Sequence, residues 1–123
     1  MHMDTENPIV KLCMAGSRAE FEGRIDDARQ LYRQAWDAAT DDFEACIAAH
    51  YVARRQADPQ ETLHWNQEAL ARAGAVKDDR VDAFYPSLYV NLGHAHEVLG
   101  NQIEAAHFYK VAADLGLVHQ PET

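Results

Sequence analysis

The sequence predicts an all-α chain whose six helices fold as three antiparallel pairs. Three observations carry this. Alanine is abundant while valine, isoleucine and threonine are comparatively few, and alanine loses no side-chain entropy in a helix. Apolar residues recur at three- and four-residue steps through most of the chain, with no competing strand pattern. The breaks between these periodic stretches carry helix-start and helix-stop chemistry. At 123 residues there is room for one domain with a real core.

The first helix runs from about Pro8 to Phe21, capped by Asn7, with Pro8 where a missing N–H costs nothing. Gly23 ends it. The second spans about Ile25 to Ala39, with Asp26 and Asp27 in its first turn and the stripe Ile25, Ala28, Tyr32, Ala35. The third begins at Asp41, with Glu44 placed for a capping box, and continues to about Gln56. Asp58, Pro59 and Glu61 open the fourth, whose run Leu63, Asn66, Leu70 leads towards Ala73 and Gly74.

Pro86 fits the first turn of a fifth helix starting near Tyr85, which carries Leu88, Leu92, Ala95 and Leu99 and stops at Gly100. The spacing Val81, Phe84, Leu88 runs through the proline, so a longer bent helix is the alternative. Asn101 is placed to cap the sixth, with Glu104 three residues on and an end near Gly116. Connections of two to four residues between most of these helices force antiparallel neighbours.

Composition narrows the function. With 11 basic against 20 acidic residues the formal charge is −9, which repels phosphate backbones and disfavours nucleic acid as a partner. The opening from Met1 to Ile9 is acidic and polar, and no apolar run approaches membrane-spanning length. The protein reads as cytoplasmic. Cys13 and Cys46 each sit among apolar neighbours in a helical pattern and read as small buried hydrophobes.

The seven histidines are the first candidates for a metal or catalytic site. His94-Ala95-His96-Glu97 resembles the start of a zinc-protease motif, but Gly100 occupies the place of the second histidine ligand. His94 and His96 point to different sides of a helix. His96 therefore reads as packing. No Gly-x-Ser-x-Gly elbow, phosphate loop or dinucleotide fingerprint occurs. The expectation is no enzyme, no cofactor and no metal, with Trp36 and Trp65 serving the core.

Self-alignment reveals a period. Leu12-x2-Ala15-Gly16-x2-Ala19 falls 34 residues before Cys46-x2-Ala49-His50-x2-Ala53, and Ala35 falls 34 before Ala69. A third copy reads Tyr89-x2-Leu92-Gly93-x2-His96, then Gly100, Ala105-x3-Tyr109 and Ala112, in the order of Gly16, Gly23, Ala28-x3-Tyr32 and Ala35. These residues resemble the tetratricopeptide repeat. The copies lie near 9–42, 43–76 and 86–117, with nine extra residues before the third that a longer fourth or fifth helix would absorb. The middle copy departs from the pattern, with His50 for glycine and Thr62-x3-Asn66 for Ala-x3-aromatic. The closing proline is replaced by Thr40, Gly74 and Leu117.

The resemblance implies a right-handed superhelical stack of about three antiparallel helix pairs, whose concave wall receives a peptide or helix of a partner. Its groove positions fall on Val10, Cys13, Ser17 and Glu20, on Glu44, Ile47, Tyr51 and Arg54, and on Ser87, Val90, His94 and Glu97, with Arg55 beside them. Tyr51 flanked by Arg54 and Arg55 suits an acidic side chain or carboxylate. The family's chaperone-tail clamp is not matched by Cys13 and Ser17. A self-assembling structural or regulatory subunit is the alternative to a peptide-binding adaptor. Phe108, Val111 and Leu115 form an apolar stripe on the last helix, predicting a homodimer or a docked partner helix, unless Leu117 and Val118 fold back over it.

Overall fold

A computed structural model describes residues 6–116. Six α-helices follow one another, α1 (Pro8–Phe21), α2 (Ile25–Ala38), α3 (Asp42–Ala53), α4 (Pro59–Ala75), α5 (Tyr85–Val98) and α6 (Gln102–Asp114), and no strand occurs among the described residues. No helix among them is long and apolar enough to cross a membrane. Packing is closest within α1–α2, α3–α4 and α5–α6, then between α4 and α5 and between α2 and α3, while α1 also reaches α3.

The helix ends follow from local chemistry. Asn7 Oδ1 accepts from the Ile9 and Val10 amides at 2.8 and 3.2 Å, starting α1. Asp41 and Asp58 cap α3 and α4 through the amides of Glu44 and Gln60. Gly23, Gly100 and Gly116 take positive φ after α1, α5 and α6, the backbone turn that a side chain resists. Glu44 does not close a box on the Asp41 amide; its carboxylate instead accepts from Thr40 N and Oγ1, both at 2.9 Å, and from Asn7 Nδ2 at 2.9 Å. It thereby ties the start of α1 to the start of α3.

Several sequence expectations are corrected in detail. The third helix ends at Ala53 rather than near Gln56, because the last turn is satisfied by short-range bonds from the Arg54 and Arg55 amides. Asn101 stands before α6 but makes no side-chain cap; its amide lies 3.1 Å from His96 Nδ1. On α4 the buried residues are Trp65, Asn66, Ala69 and Ala73, with Leu63 and Leu70 only half-buried. Longer helices absorb only part of the insertion. Beyond Ala75 the chain forms a loop and a 3-10 turn, Asp82–Phe84, which leads directly into α5 at Tyr85. Val81 is buried and the Arg80 guanidinium lies 4.3 Å from the centre of the Phe43 ring, so the insertion is anchored on the start of α3.

The core is centred on α3, buried nearly all round by Phe43, Cys46, Ile47, Ala48, Ala49 and Val52 because it packs against α1, α2 and α4. Cys13 and Cys46 are buried free thiols whose pKa burial pushes up to about 12. Trp36 and Trp65 meet edge to face at 5.0 Å, with Arg72 over Trp36 and Arg33 over Trp65 at 5.3 Å each.

Candidate functional site: a cleft beside the middle pair

In the first and last pairs a glycine of the leading helix receives a tyrosine ring from the following helix. Tyr32 lies against Gly16, and Tyr109 stands to Gly93 as Tyr32 does to Gly16. The middle pair carries His50 and Asn66 at these two places. The small amide leaves open space between α3, α4 and α5, a cavity of about 620 Å³. Its walls are His50 and Ala53 from α3, Thr62 and Asn66 from α4, and Val90, Asn91, His94, Ala95 and Val98 from α5, with Arg54 and Gln56 at the turn.

A second cavity of about 280 Å³ adjoins it, lined by Cys46, Ile47, His50 and Tyr51 from α3, Ser87, Leu88 and Asn91 from α5, and Phe84. His50 and Asn91 belong to both. The Asn91 amide nitrogen and His50 Nδ1 lie 3.3 Å apart, bridging α3 and α5. Burial first, and the nearby Arg54 charge second, hold the His50 pKa below the ordinary histidine value. The neutral ring leaves Nδ1 free to accept from Asn91.

The residues picked out by the resemblance are spread over three settings. Arg54, Val90 and His94 line the larger cavity, and Ile47 and Tyr51 the smaller, although Ile47 is only 3 % exposed. Val10 and Cys13 are core residues, 1 % exposed each. Glu20, Arg55 and Glu97 line neither cavity. Glu97 accepts from Tyr109 Oη at 2.8 Å.

Glu20 is the hub of a separate network. Its side chain is 7 % exposed and takes Arg54 Nη2 at 3.1 Å and Arg55 Nη2 at 2.5 Å, while Tyr32 Oη donates to it at 2.5 Å. Burial alone raises this carboxyl, but the bonds from Tyr32, Arg54 and Arg55 outweigh it and hold its pKa below the usual carboxylate range. Both arginines are thus engaged by an internal carboxylate, and they tie α1 to the end of α3. Removing them strands a nearly buried charge.

On the last helix, Phe108 is half-buried and stacks on Tyr89 at 6.0 Å and on His96 at 5.5 Å, within its own pair. His96 is 8 % exposed. Val111 is half-buried and Leu115 is 52 % exposed. Leu117 and Val118 lie outside the described residues. Among the described residues, no group of three or more His, Cys, Asp and Glu side chains is placed to share a metal ion.

Comparison with protein-family models, with curated proteins and with solved structures finds no match. Sequence reasoning missed Asn91 and Val98, which lie on no repeat signature, and saw Ala53 only as a repeat position. A signal for the cavity was nevertheless present: His50 and Asn66 both break the repeat pattern, and taken as a pair they remove the ring that fills this space in the other two copies.

Proposed function

We propose that this chain is a tetratricopeptide-like interaction protein that binds a segment of another polypeptide between α3 and α5. It acts as an adaptor, by binding rather than by turnover. The observation that carries this reading is the pair of adjoining cavities beside the middle pair, which brings Arg54, Val90 and His94 to one recess and Ile47 and Tyr51 to the next. The larger volume is in the range of about 300–1,000 Å³ typical of ligand sites. Small apolar groups and a few convergent polar ones line it, the mixture such sites use for fit and orientation.

Photo-crosslinking tests the reading. A photoreactive residue replacing Val90 is expected to capture a recurring stoichiometric partner from native lysate, while the same residue at the exposed Gln67 on α4 is not. Equal capture from both positions, or none from either, removes the groove as the binding site.

A second reading, self-assembly through the last helix, is favoured by the exposure of Leu115 beside the half-buried Val111. An exposed apolar edge of this kind is a common feature of interfaces.

A further inference from the structure

The middle pair differs from its neighbours at one place, and the difference has a definite size and chemistry. In the outer pairs the glycine and tyrosine interlock: a Cβ on Gly93 would stand 2.8 Å from the Tyr109 ring, and one on Gly16 would overlap the ring of Tyr32. Asn66 ends well short of where a phenol ring would reach, and the His50 ring is drawn aside toward Asn91. Space that this chain twice fills with a tyrosine is here left open, and the cavity is bordered by the two residues that replaced the lock.

The walls suit a ring. Ala53, Ala57, Ala95 and Val90 are small apolar groups that can lie against an aromatic face, and Asn66 and Thr62 offer partners for a hydroxyl. The charge is as distinctive as the shape. The chain has a formal charge of −9, yet among the described residues no aspartate or glutamate lines this cavity or the one adjoining it. Two other surface hollows both contain aspartate, Asp41 and Asp42 in one and Asp26 in the other. At the rim stands the half-exposed Arg54, which with Arg55 shares the single carboxylate of Glu20 and leaves that group one positive charge in excess, while the exposed His94 lies 3.9 Å from Glu97. An otherwise acidic surface therefore has a recess that repels acidic ligands least.

We infer that the cavity is a socket for a tyrosine side chain of a partner polypeptide, presented beside acidic residues that meet Arg54. This rests on the reading of the chain as a peptide-binding module and names the peptide's chemistry. Tyrosine fits better than phenylalanine because Asn66, whose Nδ2 already donates to Thr62 O at 3.0 Å, can still accept from a phenol hydroxyl through Oδ1, a bond a phenyl ring cannot make.

The test uses random peptides displayed on phage, selected on the full chain. Selected sequences are then made as synthetic peptides and titrated by fluorescence polarisation. His50→Gly/Asn66→Tyr rebuilds the interlock that the chain already contains twice, filling the socket from inside. Val98→Glu places a carboxylate on the cavity wall at a side chain 58 % exposed, where substitution disturbs folding little. The expected result is enrichment of tyrosine flanked by Asp or Glu, with affinity lowered by about tenfold or more by each variant. Loss of binding when the tyrosine of a selected peptide is changed to alanine completes the support.

Selected peptides that bind the parent and both variants equally would overturn the socket while leaving the peptide-binding reading intact. Failure to select any peptide overturns both. Should circular dichroism show the double variant unfolded, Val98→Glu decides alone: reduced affinity for the acidic peptides supports the socket, and unchanged affinity rejects it.

Discussion

The ring of Tyr32 lies so close across Gly16 that no side chain can be added there without moving it. Tyr32 is 1 % exposed and its hydroxyl is held by Glu20 at 2.5 Å, so the ring has nowhere to swing. Alanine in place of a mid-helix glycine gains about 1 kcal/mol of helix propensity, whereas overpacking a tight core contact costs about 1–3 kcal/mol. Gly16→Ala is therefore expected to destabilise by up to roughly 2 kcal/mol net. Tyr109 is only half-buried and can yield, so Gly93→Ala is expected to cost less. Urea denaturation of the two variants checks the order; equal effects would show that Tyr32 is freer than its contacts imply.

Glu20 joins two arginines and a tyrosine, and replacing it leaves all three short of a partner. Glu20→Gln is expected to lower stability by about 1–2 kcal/mol, less than a fully buried pair because both guanidinium groups are partly exposed. Its carboxyl has a lower pKa in the folded chain than in the unfolded one. Stability from this group is thus complete above the ordinary carboxylate pKa and is lost as pH falls through the depressed value. Thermal melts between neutral and acid pH should fall less steeply for Glu20→Gln than for the parent. Parallel slopes would remove Glu20 as a source of acid sensitivity.

His50 is expected to titrate below the ordinary histidine value, since burial and the Arg54 charge both oppose its protonation. As pH drops through that ordinary value, the unfolded chain takes up the proton and the folded chain does not, so His50 weakens the fold on acidification. Following the imidazole signals by NMR across this range, with His50→Gln to assign the resonance, tests it. An unshifted His50 would mean the ring is open to solvent and the α3–α5 bridge is not kept.

Self-association through the last helix predicts that Val111→Glu/Leu115→Glu gives a smaller species than the parent in light scattering at high concentration. If the parent is already monomeric there, and the double variant neither gains solubility nor loses partner binding, the end of α6 is not an interface.

Helix placement was legible because its signals are local. Asn7-Pro8, Asp58-Pro59 and the glycines at 23 and 100 mark ends through bonds made within a few residues. The Gly16–Tyr32 contact was foreshadowed too, since its spacing repeats at Gly93 and Tyr109. Less of the site could be read. Arg54 and Arg55 look like exposed donors in the sequence, and only the packing of α1 on α3 brings Glu20 to them across 34 and 35 residues. Asn101 has the form of a helix cap, yet His96 competes for its amide from the preceding turn. The insertion was only partly legible: Val81, Phe84 and Leu88 keep a helical step, but Val81 is buried from a turn and Phe84 packs from a 3-10 turn, so the step does not mark one continuous α-helix.

The pattern in which helices pack mainly on their chain neighbours, with α1 reaching no farther than α3, governs how quickly the fold can be reached. Little chain must be drawn together before any contact is rewarded, so the entropic toll of loop closure is small at each step. A topology of such short-range contacts should fold in about a millisecond or less. Each helical hairpin finds its partners within itself or in the next pair along the chain, so no distant segment has to be awaited before packing begins.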